Sequence, residues 1–178
     1  MHKISEIYTK AVILSAGQGR RLLPLTKNSP KCLLPVSGKP IIEWQIDALL
    51  TAGIKEIIVV TGFQTSLVEK LLQKRYPDHK KIRILFNPFF EVADNLASCW
   101  VARSVMDGNF LLLNGDTIFD VSLLKQVLKS KPAPITLSID YKKAHDADDM
   151  KVQLDNKGLV KHVNKILPED QIDAEAIG

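Results

Sequence analysis

The sequence lacks the features that mark several broad classes of protein. It has two cysteines, Cys32 and Cys99, with no Cys-x-x-Cys pair or His/Cys cluster nearby, so the sequence supports neither a disulfide framework nor a zinc site. Nine glycines and nine prolines among 178 residues are too few for a collagen-like or disordered chain. No apolar run reaches the ~18 residues of a membrane span, and residues 1–10 lack the apolar core of a signal peptide. We therefore expect a cytoplasmic protein with no membrane partner.

Excess charge of one sign is also missing. The chain carries 24 Lys and Arg against 20 Asp and Glu, a net charge of +4. This balance argues against binding of nucleic acid through bulk charge. The first 90 residues hold 14 basic and 6 acidic side chains, whereas the remainder hold 10 and 14. A basic first half suits a polyanionic ligand, and an acidic second half suits a metal ligand.

Apolar runs alternate with helical patterns along most of the chain. Residues 11–16 (AVILSA) are typical of a strand buried on both faces of a parallel sheet. The other runs that predict strands are residues 56–61, 82–86, 110–114 and 135–140. The patterns that predict helices are residues 41–52, a segment begun by a capping box of Ser66 and Glu69, residues 95–106 begun by Asp94 or Asn95, and a segment from Asp120 through Leu128.

This alternation predicts a doubly wound, mostly parallel, Rossmann-like α/β sheet. Residues 152–154 and 159–163 flank a turn and predict a small antiparallel hairpin near the C-terminus. No linker divides the chain, so we expect a single domain over residues 1–178. Residues 174–178 (AEAIG) begin an apolar segment without completing it, from which we expect a C-terminally truncated domain.

A glycine-rich stretch follows the first predicted strand. Such a loop exposes backbone N–H groups where open α/β sheets bind ligands, and these groups suit phosphates. Leu22 occupies the third glycine position of the dinucleotide fingerprint, and Pro40 after Gly38-Lys39 excludes a P-loop. Taken alone, the two glycines also fit an ordinary tight turn.

The glycine loop belongs to a longer pattern. It consists of Ser15-Ala16-Gly17-Gln18-Gly19-Arg20-Arg21-Leu22, Pro24-Leu25-Thr26, Pro30-Lys31 and Leu33-Leu34-Pro35-Val36, and continues in Gly38-Lys39-Pro40-Ile41-Ile42, Ala52-Gly53-Ile54 and Asn114-Gly115-Asp116. This pattern resembles the family of nucleotidyltransferases that make nucleotide sugars and CDP-alcohols. The resemblance covers nearly the whole chain and implies an enzyme that transfers a nucleoside monophosphate and releases pyrophosphate.

The resemblance also implies roles for individual residues. Arg20 and Lys31 match the catalytic pair that holds the phosphates during transfer, and these charges suit a transition state that concentrates negative charge. The residues that match the nucleotide-binding loop are Ser15, Ala16, Gly17, Gln18, Gly19, Arg20 and Lys31. Asp116 matches the metal-binding aspartate and implies Mg²⁺ as cofactor, although a carboxylate there also fits a helix cap or a turn. Lys165 lies where many relatives have a lysine that binds the acceptor phosphate.

The substrate is predicted from the segment around residue 95. Asp94-Asn95 followed by Ser98 resembles the branch of phosphocholine and aminophosphonate cytidylyltransferases, which implies CTP as the nucleotide and adds Asn95 and Ser98 to the nucleotide-binding residues. The acceptor is then a small phosphorylated or phosphonate compound such as phosphocholine or 2-aminoethylphosphonate. Two alternatives stay open: a sugar-1-phosphate nucleotidyltransferase that uses UTP or dTTP, and a non-catalytic nucleotide-binding homologue. The oligomeric state is also open, with a homo-oligomer as one alternative.

Overall fold

The computed structural model describes residues 8–77, 80–131, 133–142 and 144–177 in two compact units that divide between Ser130 and Lys131. The first unit contains β1 (Lys10–Ser15), β2 (Pro35–Val36), β3 (Lys39–Pro40), α1 (Ile41–Thr51), β4 (Glu56–Thr61), α2 (Thr65–Arg75), β5 (Ile82–Phe86), α3 (Asn95–Ala102), β6 (Phe110–Asn114) and α4 (Val121–Lys129). The second contains β7 (Ile139–Asp140), β8 (Lys151–Leu154), β9 (Val160–Asn164) and β10 (Ala174–Ala176). None of the helices within these ranges is both long enough and apolar enough to cross a membrane.

A four-stranded parallel sheet forms the centre of the first unit. Its strand order is β5-β4-β1-β6, and β1 pairs with β4 on one side and with β6 on the other. In this register Ile13 lies between Val59 and Leu113. Along the chain, β4 and then β5 follow on one side of β1, and β6 is added afterwards on the opposite side. Open α/β sheets bind ligands at such a reversal, beyond the carboxyl ends of the strands.

Both faces of this sheet are covered, which confirms the predicted doubly wound fold. Successive strand residues point to opposite faces, so Ala11 and Ile13 enter one core while Val12 and Leu14 enter the other. The helical residues of the first core come from α1, α2 and α4: Ile42, Ile46, Leu49, Val68, Leu72, Leu124 and Leu128. Ala102 of α3 packs in the second core. The continuous apolar sequence of β1 follows from this burial on both sides.

Helix starts agree with the sequence at two of three predicted caps. The side chains of Asp94 and Asp120 accept hydrogen bonds from backbone N–H groups in the first turns of α3 and α4 (3.0 and 2.7 Å). The prediction that a capping box at Ser66 begins the next helix is wrong, because α2 already begins at Thr65. The Thr65 hydroxyl donates to the Gly62 carbonyl (3.0 Å). The predicted helix 95–106 is shorter, since α3 ends at Ala102 and a 3₁₀ turn follows.

The second unit is a small antiparallel sheet of order β7-β10-β8-β9. The predicted hairpin is confirmed by the pairing of β8 with β9. The predicted strand 135–140 is reduced to its last two residues, since Ile135 is 87% exposed and lies outside the sheet. Residues 174–176, which carried no strand prediction, form β10 between β7 and β8.

The short β2–β3 hairpin is fixed to α1. The Trp44 indole donates to the Val36 carbonyl (3.0 Å), and the Lys39 ammonium lies 2.6 Å from the Asp47 carboxylate. Burial alone would raise the pKa of Asp47, but hydrogen bonds from Lys39 and Tyr76, with the charge of Lys39, lower that pKa. The polypeptide between β1 and α1 therefore ends in a well-anchored hairpin.

Candidate functional site

The glycine-rich loop leaves the carboxyl end of β1 and leads into the 3₁₀ turn Arg20–Leu22. Gly17 and the Arg20 side chain are exposed to solvent. Thr26 is fully buried beneath the loop, where its hydroxyl donates to the Gly19 carbonyl (2.9 Å). The Gln18 side-chain NH₂ donates in turn to the Thr26 carbonyl (3.1 Å). These bonds join Gln18 and Gly19 to Thr26, while Gly17 and the Arg20 side chain remain exposed.

The Lys31 side chain packs against this loop at Gly19. Lys31 begins the 3₁₀ turn Lys31–Leu33, which is anchored in the core by Cys32. Burial raises the pKa of the Cys32 thiol to about 12, so the thiol is protonated at neutral pH. A Cβ atom added at Gly19 would lie 2.9 Å from the Cβ of Lys31. Glycine at position 19 thus leaves the space through which the Lys31 side chain runs.

We expect Gly19→Ala to destabilise the chain more than Gly38→Ala. Both glycines adopt left-handed backbone conformations (φ +76° and +78°), where alanine costs roughly 1–2 kcal/mol. A Cβ at Gly38 meets nothing within 4 Å, whereas a Cβ at Gly19 meets Lys31. Denaturant unfolding of the two variants measures the difference. Equal losses in the free energy of unfolding would show that the Lys31 stem does not depend on Gly19.

Asp116 lies at the same edge of the sheet, after β6. The Gly115 N–H donates to the Leu14 carbonyl (2.9 Å), and a Cβ at Gly115 would lie 2.1 Å from the Ser15 hydroxyl. Only glycine permits this approach of β6 to β1. The exposed Asp116 carboxylate lies 2.5 Å from the Lys31 ammonium, which joins the two segments across 85 residues of sequence.

The remaining residues predicted to bind nucleotide differ in exposure. Asn95 is exposed at the start of α3, and its side-chain NH₂ donates to the side-chain oxygen of Asn114 (3.1 Å), next to the Asp116 turn. Ser98 is 2% exposed and accepts a hydrogen bond from the Asn87 side chain (3.1 Å). Ser15 and Ala16 are likewise buried at the end of β1. The first unit thus brings Gly17, Gln18, Gly19, Arg20, Lys31, Asn95 and Asp116 to accessible positions around the carboxyl ends of β1 and β6.

Lys165 belongs to the second unit. Its ammonium lies 3.3 Å from Asp148, and its carbonyl accepts a hydrogen bond from the buried Lys151 ammonium (2.9 Å). The Lys151 ammonium also donates to the Asp146 carbonyl (2.7 Å). The backbone at Lys165 is therefore fixed, while its side chain is exposed.

The donor set at Asp116 fits one metal chemistry better than others. Across the described ranges, no group of three or more His, Cys, Asp or Glu side chains is arranged to hold a metal ion. A closed site for structural zinc, which needs four protein ligands, is therefore a poor fit. Mg²⁺ fits, because it binds through one or two carboxylates and completes its shell with phosphate oxygens and water.

Two buried residues around the site were given no role from the sequence. Thr26 supports the glycine loop, and Gln45 of α1 donates to the Asn114 and Thr117 carbonyls that flank Asp116 (2.7 and 2.8 Å). A glutamine on the apolar face of a predicted helix is a usable signal, because a buried amide needs partners. The sequence alone does not say where those partners lie.

A profile of the nucleotidyl transferase family matches residues 10–160. The chain is 31% identical over 160 residues to 2-aminoethylphosphonate cytidylyltransferase of Lancefieldella rimae, covering 88% of this chain and 61% of that protein. It is 34% identical over 103 residues to choline-phosphate cytidylyltransferase of Streptococcus pneumoniae, covering 58% of this chain and 43% of that protein. The chain thus spans less than two thirds of either curated relative.

The fold also matches solved structures. Inositol-1-phosphate CTP transferase from T. maritima superposes with a TM-score of 0.79 at 21% identity, covering 97% of this chain and 69% of that one. At this identity the match concerns the fold. With 97% of this chain covered, it extends over residues of both the parallel sheet and the small antiparallel sheet.

Proposed function

Because the chain belongs to the nucleotidyl transferase family, we propose that it transfers CMP from CTP to a small phosphorylated or phosphonate acceptor and releases pyrophosphate. The observation that carries this proposal is the meeting of Lys31 and Asp116, 2.5 Å apart, beside the glycine loop at the carboxyl edge of the sheet. The similarity to two cytidylyltransferases supports CTP and an acceptor of the phosphocholine or 2-aminoethylphosphonate type.

The reaction is a displacement at the α-phosphorus of the nucleotide. An oxygen of the acceptor phosphate or phosphonate forms a bond to this phosphorus, and the bond to the bridging oxygen of the β-phosphate breaks. Pyrophosphate leaves with that electron pair. The attacking group is already anionic at neutral pH, so the chain needs no general base.

The residues of the site would act mainly through charge and position. The accessible backbone of the glycine loop would bind the triphosphate, and the exposed Arg20 guanidinium would bind two phosphate oxygens in one plane. Lys31 would supply a compact positive charge against the oxygens that gain charge in the transition state. Asp116 would hold Mg²⁺, which when bound neutralises phosphate charge. Lys165 is our candidate for binding the acceptor phosphate, and Asn95 is our candidate for binding the nucleotide. The buried Ser98 would act on nucleotide binding through its hydrogen bond with Asn87.

Choice of nucleotide is the first test. Isothermal titration of CTP, UTP, dTTP and ATP in the presence of Mg²⁺ should show CTP binding most tightly. Cytosine offers an amino donor at C4 where uracil offers an acceptor, and one unpaired contact costs ~1–3 kcal/mol, or roughly ten- to hundredfold in affinity. A pyrophosphate-release assay that crosses these nucleotides with phosphocholine, 2-aminoethylphosphonate and sugar 1-phosphates then identifies the acceptor.

The alternatives give different results in the same assays. Equal or tighter binding of UTP or dTTP, with turnover of a sugar 1-phosphate, would assign the chain to the sugar-nucleotide enzymes. Nucleotide binding without pyrophosphate release for any pair would favour a non-catalytic nucleotide-binding protein.

A further inference from the structure

Gln45 is a polar residue among the buried apolar residues of α1. It lies on α1 between Ile42 and Ile46, both fully buried, and is itself 1% exposed. Burying an amide costs free energy unless its polar atoms are paired. The Gln45 NH₂ group is paired twice, with the Asn114 carbonyl at 2.7 Å and the Thr117 carbonyl at 2.8 Å, whereas its side-chain oxygen has no hydrogen-bond partner among the described residues. A buried residue with two such bonds to one loop acts on that loop.

The two carbonyls belong to the first and last residues of a single turn. The Thr117 N–H also approaches the Asn114 carbonyl at 3.5 Å, so residues 114–117 form a loosely closed turn with Asp116 at its third position. Both acceptors are carbonyl oxygens, and only the NH₂ end of an amide can donate to them. Gln45 therefore bridges the ends of the turn, where the hydrogen bond of the turn itself is long.

The turn is held from its other side by β1. The Gly115 N–H donates to the Leu14 carbonyl at 2.9 Å, and Gly115 lies so close to β1 that an added Cβ atom would lie 2.1 Å from the Ser15 hydroxyl. Gln45 thus completes a two-sided support that consists of β1 and α1. Asp116 lies within the turn that is held in this way, and its carboxylate is 2.5 Å from the Lys31 ammonium.

We propose that Gln45 is a positioning residue that fixes the Asn114–Thr117 turn and thereby directs Asp116 toward Lys31 and a bound cation. This inference rests on the proposed function for its catalytic consequence. Its structural part, the rigidity of the turn, does not. Gln45 is buried and would act on the reaction only through Asp116.

The test uses Gln45→Met and Gln45→Glu in the full chain. Methionine has similar length but cannot donate, and glutamate places an acceptor against two carbonyl acceptors. Hydrogen exchange of the amides of residues 115–117 should quicken about tenfold or more in Gln45→Met, because the bridge across the turn is lost. Turnover should fall on the order of tenfold or more, and the Mg²⁺ concentration for half-maximal turnover should rise severalfold, while the KM for nucleotide changes less than about threefold.

Ile46→Val is the matched control. It trims the next residue of α1, which is fully buried and whose side chain can donate no hydrogen bond to the turn. It is expected to lower thermal stability, with exchange at residues 115–117 and the Mg²⁺ requirement unchanged. Gln45→Glu should be at least as impaired as Gln45→Met. If one of these variants fails to fold, the other carries the measurement.

The outcomes separate the two proposals. If folded Gln45→Met resembles Ile46→Val in exchange and in Mg²⁺ requirement, the positioning role is overturned. If the wild-type chain shows no nucleotidyl transfer with any substrate pair, the proposed function fails, and local exchange alone then decides whether Gln45 fixes the turn.

Discussion

Replacing Lys31 with alanine is expected to lower turnover at least a hundredfold, with the fold intact. The loss corresponds to about 2.7 kcal/mol of barrier, a typical value for removing one charge that stabilises a transition state. Arg20→Ala should have a loss of the same order. The midpoint temperature of thermal unfolding should change little in Lys31→Ala. The Lys31 side chain is 32% exposed, and ion pairs near the surface contribute roughly 0–1 kcal/mol to the free energy of unfolding. Single-turnover pyrophosphate release and a thermal melt measure the two quantities.

Lys27→Ala is the matched control for this experiment. Lys27 is an exposed cation in the same segment between β1 and α1, and we assign it no contact with the phosphates. It should retain turnover within about twofold, as surface substitutions away from a site usually do. Near wild-type turnover of Lys31→Ala with every active substrate pair would remove Lys31 from the mechanism, and the same result for Arg20→Ala would remove Arg20.

Asp116→Asn is expected to lower turnover by a comparable factor. The variant should also lose the dependence of the rate on Mg²⁺. A neutral amide is a poor ligand for a hard cation, so the variant should keep only residual turnover that added Mg²⁺ does not raise. The wild-type chain should lose activity in excess chelator and regain it when Mg²⁺ is restored. Turnover measured across a range of free Mg²⁺ concentrations compares both proteins directly.

Asp120→Asn provides the control for the loss of a carboxylate. Asp120 lies four residues further on, and it caps α4 by accepting the Ser122 N–H. Asparagine caps helices about as well as aspartate, so this variant should fold and turn over like the wild type. Undiminished wild-type turnover in excess chelator would contradict the role of Asp116 as a metal ligand.

Much of the fold could be predicted because local patterns determine it. β4, β5 and β6 have the bounds that their largely apolar runs indicate. The clearest case is β4, in which five consecutive residues are buried, because a strand covered on both faces needs a nearly continuous apolar run. The caps at Asp94 and Asp120 were also predictable, because each depends on a bond two residues away. By contrast, the start of α2 depends on which of Thr65 and Ser66 finds partners in the preceding strand and turn.

The parts that could not be predicted depend on distant contacts. β10 has three residues and a weak strand pattern, and it forms because β7 and β8 pair with it on either side. In the site, the glycine loop and Asp116 were identified by their motifs, but the contact of Gln45 with Asn114 spans 69 residues of sequence. The burial of Ser98 against Asn87 is a similar case, because only tertiary packing decides which side of α3 faces inward.

The ion pair between Lys31 and Asp116 has a consequence for the order in which the site is filled. While the ammonium lies 2.5 Å from the carboxylate, each neutralises the other, and a divalent cation arriving alone must compete with Lys31 for the same oxygen. In the proposed mechanism a bound triphosphate would change this competition, because it would offer Lys31 other anionic oxygens and so release Asp116. The pair would then favour simultaneous loading of nucleotide and cation over stepwise loading, and it would disfavour a cation that binds without the nucleotide.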